Sequence, residues 1–133
     1  MLQQALESVK TFRGLMNEGN ISEHNRRITD DFFAVFSMGD DSSFETFNAE
    51  QYREGNLEAG KAYEGRSPFW EYKNLGSGVR SDNEIIISSQ IDFYLNKRLI
   101  KMAFCTEIYR KEEGVWKLVR QYMEKYDPDR GTE

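Results

Sequence analysis

The sequence predicts an α+β domain in which three N-terminal helices pack on one face of an antiparallel sheet. Three observations carry that expectation. Apolar residues recur at helical spacing near the start of the chain, β-branched and aromatic residues fill long runs between Glu84 and Tyr126, and the helical signals precede those runs instead of alternating with them.

Leu2, Ala5, Leu6, Val9, Phe12, Leu15 and Met16 form the apolar stripe of a first helix over residues 2–18, with Gly19 as its stop. Ser22 is placed to cap a short second helix running to Arg27 or Ile28. Asp30 and Asp31 lead into Phe32–Ser37, a short apolar run that reads as a buried strand, and Met38–Ser43 has loop composition. A third helix opens at Asn48, where Gln51 completes a capping box and Phe47 and Tyr52 occupy the positions of a hydrophobic staple. Gly55 and Gly60 each weaken it by roughly 1 kcal/mol relative to alanine, either permitting a close approach or breaking the helix near Gly60. Gly65–Pro68 ends it. Phe69–Leu75 begins a strand, Gly76 and Gly78 signal a bulge, and the pairing of this strand is open. Three long strands follow: Ile85–Leu95, Arg98–Lys111 and Val115–Tyr126.

The pair Asn96–Lys97 serves as a two-residue turn, because asparagine tolerates the left-handed conformation required there. An unbroken ladder from this turn sets Ile91 opposite Met102, Ser89 opposite Phe104 and Asp92 opposite Lys101, which separates an apolar face from a polar one. A three-residue loop, Glu112–Gly114, then sets Ile108 opposite Leu118, Thr106 opposite Arg120 and Phe104 opposite Tyr122. Trp116, Leu118, Arg120 and Tyr122 would face the core. A four-residue loop would present Lys117, Val119, Gln121 and Met123 instead, a poorer apolar match.

At 133 residues the chain reads as a single domain, with a core over 2–126 and a frayed tail at 127–133. Its 38% hydrophobic and 14% aromatic content is globular. A net charge of −5 with no basic stripe argues against nucleic acid and anionic membranes as partners. The single cysteine, Cys105, forms no internal disulfide and fits a reducing compartment. The first twenty residues do not read as a signal peptide, and no apolar run approaches the roughly 20 residues that span a bilayer. The expected location is the cytoplasm.

Met16-Asn17-Glu18-Gly19-Asn20, Thr29-Asp30-Asp31-Phe32 and Gly114-Val115-Trp116-Lys117-Leu118 carry a resemblance to the nuclear transport factor two-like superfamily, in its small bacterial branch related to SnoaL-type cyclases and ketosteroid isomerase. The resemblance covers residues 2–126. It implies a cystatin-like, cone-shaped curved sheet with the helices on its concave face, a pocket inside the cone, and a homodimer formed through the outer sheet face. Aligned without gaps, the phenol of ketosteroid isomerase falls on Phe12, its base near Phe36 and its buried acid near Thr106. None of these can perform that reaction.

Arg120 is the sharpest candidate. It interrupts an apolar face, and a buried guanidinium must be paired either by a carboxylate such as Asp31 or by the anion of a ligand. Trp116, Tyr122, Phe104, Trp70 and Tyr72, with Phe12 and Thr106, would complete an aromatic lining or else form ordinary core. His24 reads as a solvated surface residue, and Cys105 falls on the outer sheet face. One histidine and one cysteine cannot build a zinc site, the acidic pairs lack calcium-loop spacing, and no cofactor is expected.

These residues leave three readings. The first is a binding domain for a small aromatic molecule, anionic if Arg120 grips it. The second is an isomerase, cyclase or hydrolase using Tyr122, Glu124 or Asp31. The third is an interaction module whose outer sheet face self-associates around Ala103, Cys105, Val119 and Met123.

Overall fold

The computed structural model describes residues 1–37 and 44–128. The loop expected at Met38–Ser43 and the end of the tail, 129–133, lie outside the described residues.

Helix α1 spans Leu2–Asn17. Gly19, at φ 78°, ends it in a Schellman arrangement: its N–H reaches Met16 O, and the N–H of Asn20 reaches Leu15 O at 2.8 Å. Asn20 also caps α2 (Ile21–Arg26) by accepting from the Glu23 N–H, so Asn20 takes the role expected of Ser22. Strand β1 (Ile28–Ser37) is longer than its apolar stretch, and β2 (Phe44–Asn48), not foreseen in the sequence, pairs with it. Helix α3 (Ala49–Ala62) has the expected Asn48–Gln51 capping box and passes through both glycines without breaking. Strands β3 (Phe69–Ser81), β4 (Glu84–Leu95), β5 (Arg98–Glu112) and β6 (Val115–Tyr126) follow.

The strands form one curved, unclosed sheet in the order β2-β1-β6-β5-β4-β3. Every pairing is antiparallel except β1 with β6, which is parallel. The open question about β3 resolves as an antiparallel partner of β4, with irregularities at Asn74/Gly76 and Val79/Ser81. Ala5, Val9 and Phe12 of α1 pack with Ile85, Ile87, Tyr109 and Leu118 to close one end of the inner face.

Both long hairpins carry a bulge, and the bulges overturn the expected register. The Asn96–Lys97 turn is as expected, with φ of 50° and 66°, and Leu95/Arg98 and Tyr94/Leu99 pair across it. Ile100 is then extra, so Phe93 meets Lys101, Ile91 meets Ala103 and Asp92 meets Met102. At the second hairpin the turn is Glu113–Gly114, with φ of 51° and 81°, two residues instead of three. Val119 is extra in its turn: Leu118 pairs with Tyr109, but Arg120 pairs with Ile108 and Tyr122 with Thr106. One inserted residue exchanges the two faces of a strand. Ala103, Cys105, Glu107, Val119 and Gln121 are therefore buried on the inner side, while Phe104, Arg120 and Tyr122 are exposed on the outer one. The dimer centre expected at Ala103, Cys105, Val119 and Met123 is thus corrected: these residues point into the fold.

Candidate functional site

The inner face stays open where its residues are small. Tyr52, Gly55, Asn56, Ala59 and Tyr63 recur along one face of α3 and lie over Ala103, Met123 and Lys125 of the sheet. Gly55, Ala59 and Ala103 supply little volume, and a cavity of about 380 Å³ remains between helix and sheet.

Two aromatic groups wall it. Toward β3 and β4, Trp70 lies 4.8 Å from Phe93 and Tyr63 lies 5.0 Å from Phe93, centroid to centroid. Toward β1 and β2, Phe36 packs on Phe47 at 5.0 Å, and Tyr52 stands against Phe32 at 4.6 Å. The Asn17 side chain fixes the first wall. It donates to Trp70 O at 2.9 Å and accepts from the Trp70 N–H at 2.8 Å, tying the end of α1 to β3.

Behind the cavity lies a buried ionic cluster. Arg13 of α1 donates to Glu107 Oε1 at 2.7 Å, to Ser89 Oγ at 3.1 Å and to Asn74 Oδ1 at 3.0 Å, and its guanidinium stacks over the Tyr72 ring at 4.2 Å. Glu107 also accepts from the Tyr109 hydroxyl at 2.9 Å and from Gln121 Nε2 at 2.8 Å. Burial acts to lower the Arg13 pKa, but the charge of Glu107 and its neighbours reverses this and holds the guanidinium charged. Burial and then the Glu107 charge push the Tyr52 and Tyr72 hydroxyls up, so both remain protonated.

The polar residues lining the cavity are Gln51, Asn56, Lys101, Gln121, His24 and Lys125, and the last two stand out. His24 is buried, stacked on Phe12 at 4.2 Å, with Asn56 Nδ2 3.4 Å from its Nδ1. Burial lowers its pKa to about 4, against the opposing pull of Glu107. Lys125 lies over the Phe36 ring at 5.0 Å. Burial, and then the charge of Lys101, lower its pKa, against the opposing charge of Glu45 on β2. Lys101 is paired with Asp127 at 2.7 Å, whereas no carboxylate among the described residues ion-pairs with Lys125.

The expected site residues divide. Trp70 and Tyr72 line the cavity. Phe12 lies one layer behind, under His24, and Trp116 is in the closed core. Arg120, Tyr122, Phe104 and Thr106 belong to the outer face because of the two bulges; Arg120 donates to the backbone oxygens of Asp31 and Val119, at 2.7 and 2.9 Å, and reaches no buried carboxylate among the described residues. The candidate proton-transfer groups also stand elsewhere: the Tyr122 hydroxyl donates to Glu124 at 2.8 Å on the outer face, and Asp31 is exposed and paired with Arg110. His24 and Cys105, expected at the surface, are both buried on the inner side. Sequence reading missed Arg13 and Glu107, although Arg13 stands among Val9, Phe12 and Met16 on the apolar stripe of α1 and so demands a buried partner. Among the described residues no group of three His, Cys, Asp or Glu side chains is placed to hold a metal.

No protein-family profile matches the chain, and neither does any curated protein sequence. Solved structures do resemble it. An NTF2-like protein of unknown function from Pseudomonas putida superposes with a TM-score of 0.72 at 10% identity, covering 92% of this chain and 84% of that one. One from Shewanella oneidensis gives 0.71 at 11% identity, covering 93% and 99%. An NTF2-like protein with a cystatin-like fold from Novosphingobium aromaticivorans gives 0.70 at 9% identity, covering 92% and 79%. At such identities the likeness is one of fold.

Proposed function

Taking the nuclear transport factor two-like fold of this chain as the premise, we propose that it is a binding domain for a small, largely aromatic molecule held in the cavity beneath α3. The observation that carries the reading is the open space of about 380 Å³ between two aromatic walls, bordered by aromatic and apolar side chains with polar ones between them. Lys125, at the cavity wall without an ion-pair partner among the described residues, takes the place expected of Arg120 and supports a ligand with an anionic end. Binding is favoured over catalysis because the described residues that line the cavity include no carboxylate, and Glu107, buried behind it, is held by Arg13, Tyr109 and Gln121.

Titration with naphthoate tests this. It should quench Trp70 fluorescence and raise Tm, and Ala59→Leu, which fills the cavity from a helix position, should remove both effects. No response to naphthoate, or an equal response in Ala59→Leu, would refute the reading.

Self-association through the outer sheet face and a cytoplasmic location are parts of the same proposal. Exposed Phe104 and Tyr122 support the first; cell fractionation tests the second.

A further inference from the structure

Each of the two hairpin bulges turns a lysine inward. The extra Ile100 places Lys101 opposite Phe93 on the inner face, and two residues further on Ala103 stands opposite Lys125. Lys101 and Lys125 are thereby diagonal neighbours on adjacent strands, and both line the cavity. Their surroundings differ. Lys101 Nζ donates to Asp127 Oδ1 at 2.7 Å. Lys125 Nζ lies 5.0 Å over the Phe36 ring, itself part of the cavity wall, and has no hydrogen bond or ion pair among the described residues. It is nevertheless accessible: the side-chain atoms that are both sealed off and without a partner, among the described residues, are Arg13 Nε, Thr29 Oγ1 and Gln121 Oε1. Exposed Glu45 on β2 attracts Lys125 through its charge but forms no ion pair with it. Burial and the Lys101 charge both work against the Lys125 ammonium, and a bound anion would relieve that repulsion. Two ammonium groups with one carboxylate in contact leave a single positive charge to be met.

Resting on the binding reading above, we propose that the cavity takes aromatic monocarboxylic acids, with the carboxylate on Lys125 Nζ and the rings between the two aromatic walls. It discriminates against doubly charged heads such as a phosphate monoester, because Asp127 has already met the charge of Lys101. Lys125 is the contact that recognises the acid. The Lys101–Asp127 pair beside it sets how much negative charge is accepted.

Calorimetry at about pH 7.5, where a phosphate ester is doubly charged, compares naphthoate with naphthylmethanol and naphthyl phosphate. Naphthoate should bind at least ~10-fold more tightly than naphthylmethanol, the worth of one hydrogen bond between charged groups, and more tightly than naphthyl phosphate. Lys125→Met should erase the preference over naphthylmethanol. Asp127→Asn, at an exposed side chain, leaves the Lys101 charge unmet and should raise the phosphate at least ~10-fold relative to naphthoate. Four results would overturn the inference and leave the binding reading standing: equal affinity for naphthoate and naphthylmethanol, tighter binding of the phosphate by the unaltered protein, a preference that survives Lys125→Met, or a phosphate-to-carboxylate ratio that Asp127→Asn leaves unchanged. If naphthoate does not bind, both fall.

Discussion

Arg13 on α1 and Glu107 on β5 meet at 2.7 Å across the inner face of the sheet, at 7% and 2% exposure. Such a pair earns little net stability over an apolar one, but breaking it strands a charge. Arg13→Met should cost about 3–5 kcal/mol in urea unfolding, because Glu107 keeps its burial and loses its counter-ion. Adding Glu107→Gln should recover a large part of that loss, since the amide still accepts from Tyr109 without carrying charge. A double variant no more stable than the single one would show that the charge is not what matters.

The same pair explains what could and could not be read in the sequence. Apart from β2, element identities were legible because they rest on local signals: the α1 stripe, the Asn48–Gln51 box, the glycine after α1, the Asn96–Lys97 turn. The faces of β5 and β6 were not. Sorting strand residues by polarity puts Glu107 and Gln121 outside and Phe104 and Tyr122 inside, and the structure has the reverse. Arg13 recruits polar partners to the inner face, while two bulges, at Ile100 and Val119, let each strand keep a well-formed turn and still change sides. A bulge leaves no mark in a ladder drawn from its turn. The candidate site suffered most, because its Arg120 clamp depended on register alone.

His24 should make stability depend on pH. Its folded pKa, about 4, lies below its ordinary 6.5, so the unfolded chain binds the proton more readily. The sign follows: stability is fully present above pH 6.5, falls as the pH drops toward 4, and levels off below. Across that window the loss amounts to roughly 3 kcal/mol. Glu107 on β5 acts on the ring through its charge, while Asn25 of α2 and Asn56 of α3 are its neutral amide neighbours. Unfolding curves of His24→Phe, which keeps the stack on Phe12, should lack this part of the pH dependence. Identical pH profiles for the two proteins would contradict the assignment.

Gly55 and Gly60 should respond differently to alanine. A Cβ at Gly55 meets nothing within 4 Å, so Gly55→Ala should stabilise α3 by about 0.5–1 kcal/mol, the helix-propensity difference. A Cβ at Gly60 would collide with Ile21 Cδ1, the flexible tip of a side chain on α2. Ile21 must turn away, and the cost offsets most of the propensity gain. Gly60→Ala should therefore be near neutral or destabilising, and Tm measurements on the two variants check the order. A larger rise for Gly60→Ala would mean that α2 and α3 are not in close contact at this point.

The outer sheet face should hold a second copy of the chain. Phe104 and Tyr122 are each 45% exposed there, Ile86 is 37% exposed, and Phe33 on β1 is 42% exposed beside Arg120. Soluble monomers seldom leave aromatic and branched residues of neighbouring strands in water together. Arg120 and Glu124 flank Tyr122 on this face, so a two-fold axis through it would let each charge of one copy approach its opposite on the other. Phe104→Lys removes apolar area without touching the inner face, because its side chain points away from the cavity. Across a two-fold axis each substitution acts twice, and the dissociation constant should rise by at least about tenfold. Sedimentation at micromolar concentration should show a dimer for the unaltered chain and a shift toward monomer for Phe104→Lys, with Tm of the monomeric form little changed. A monomer in both samples would remove the outer face as an interface.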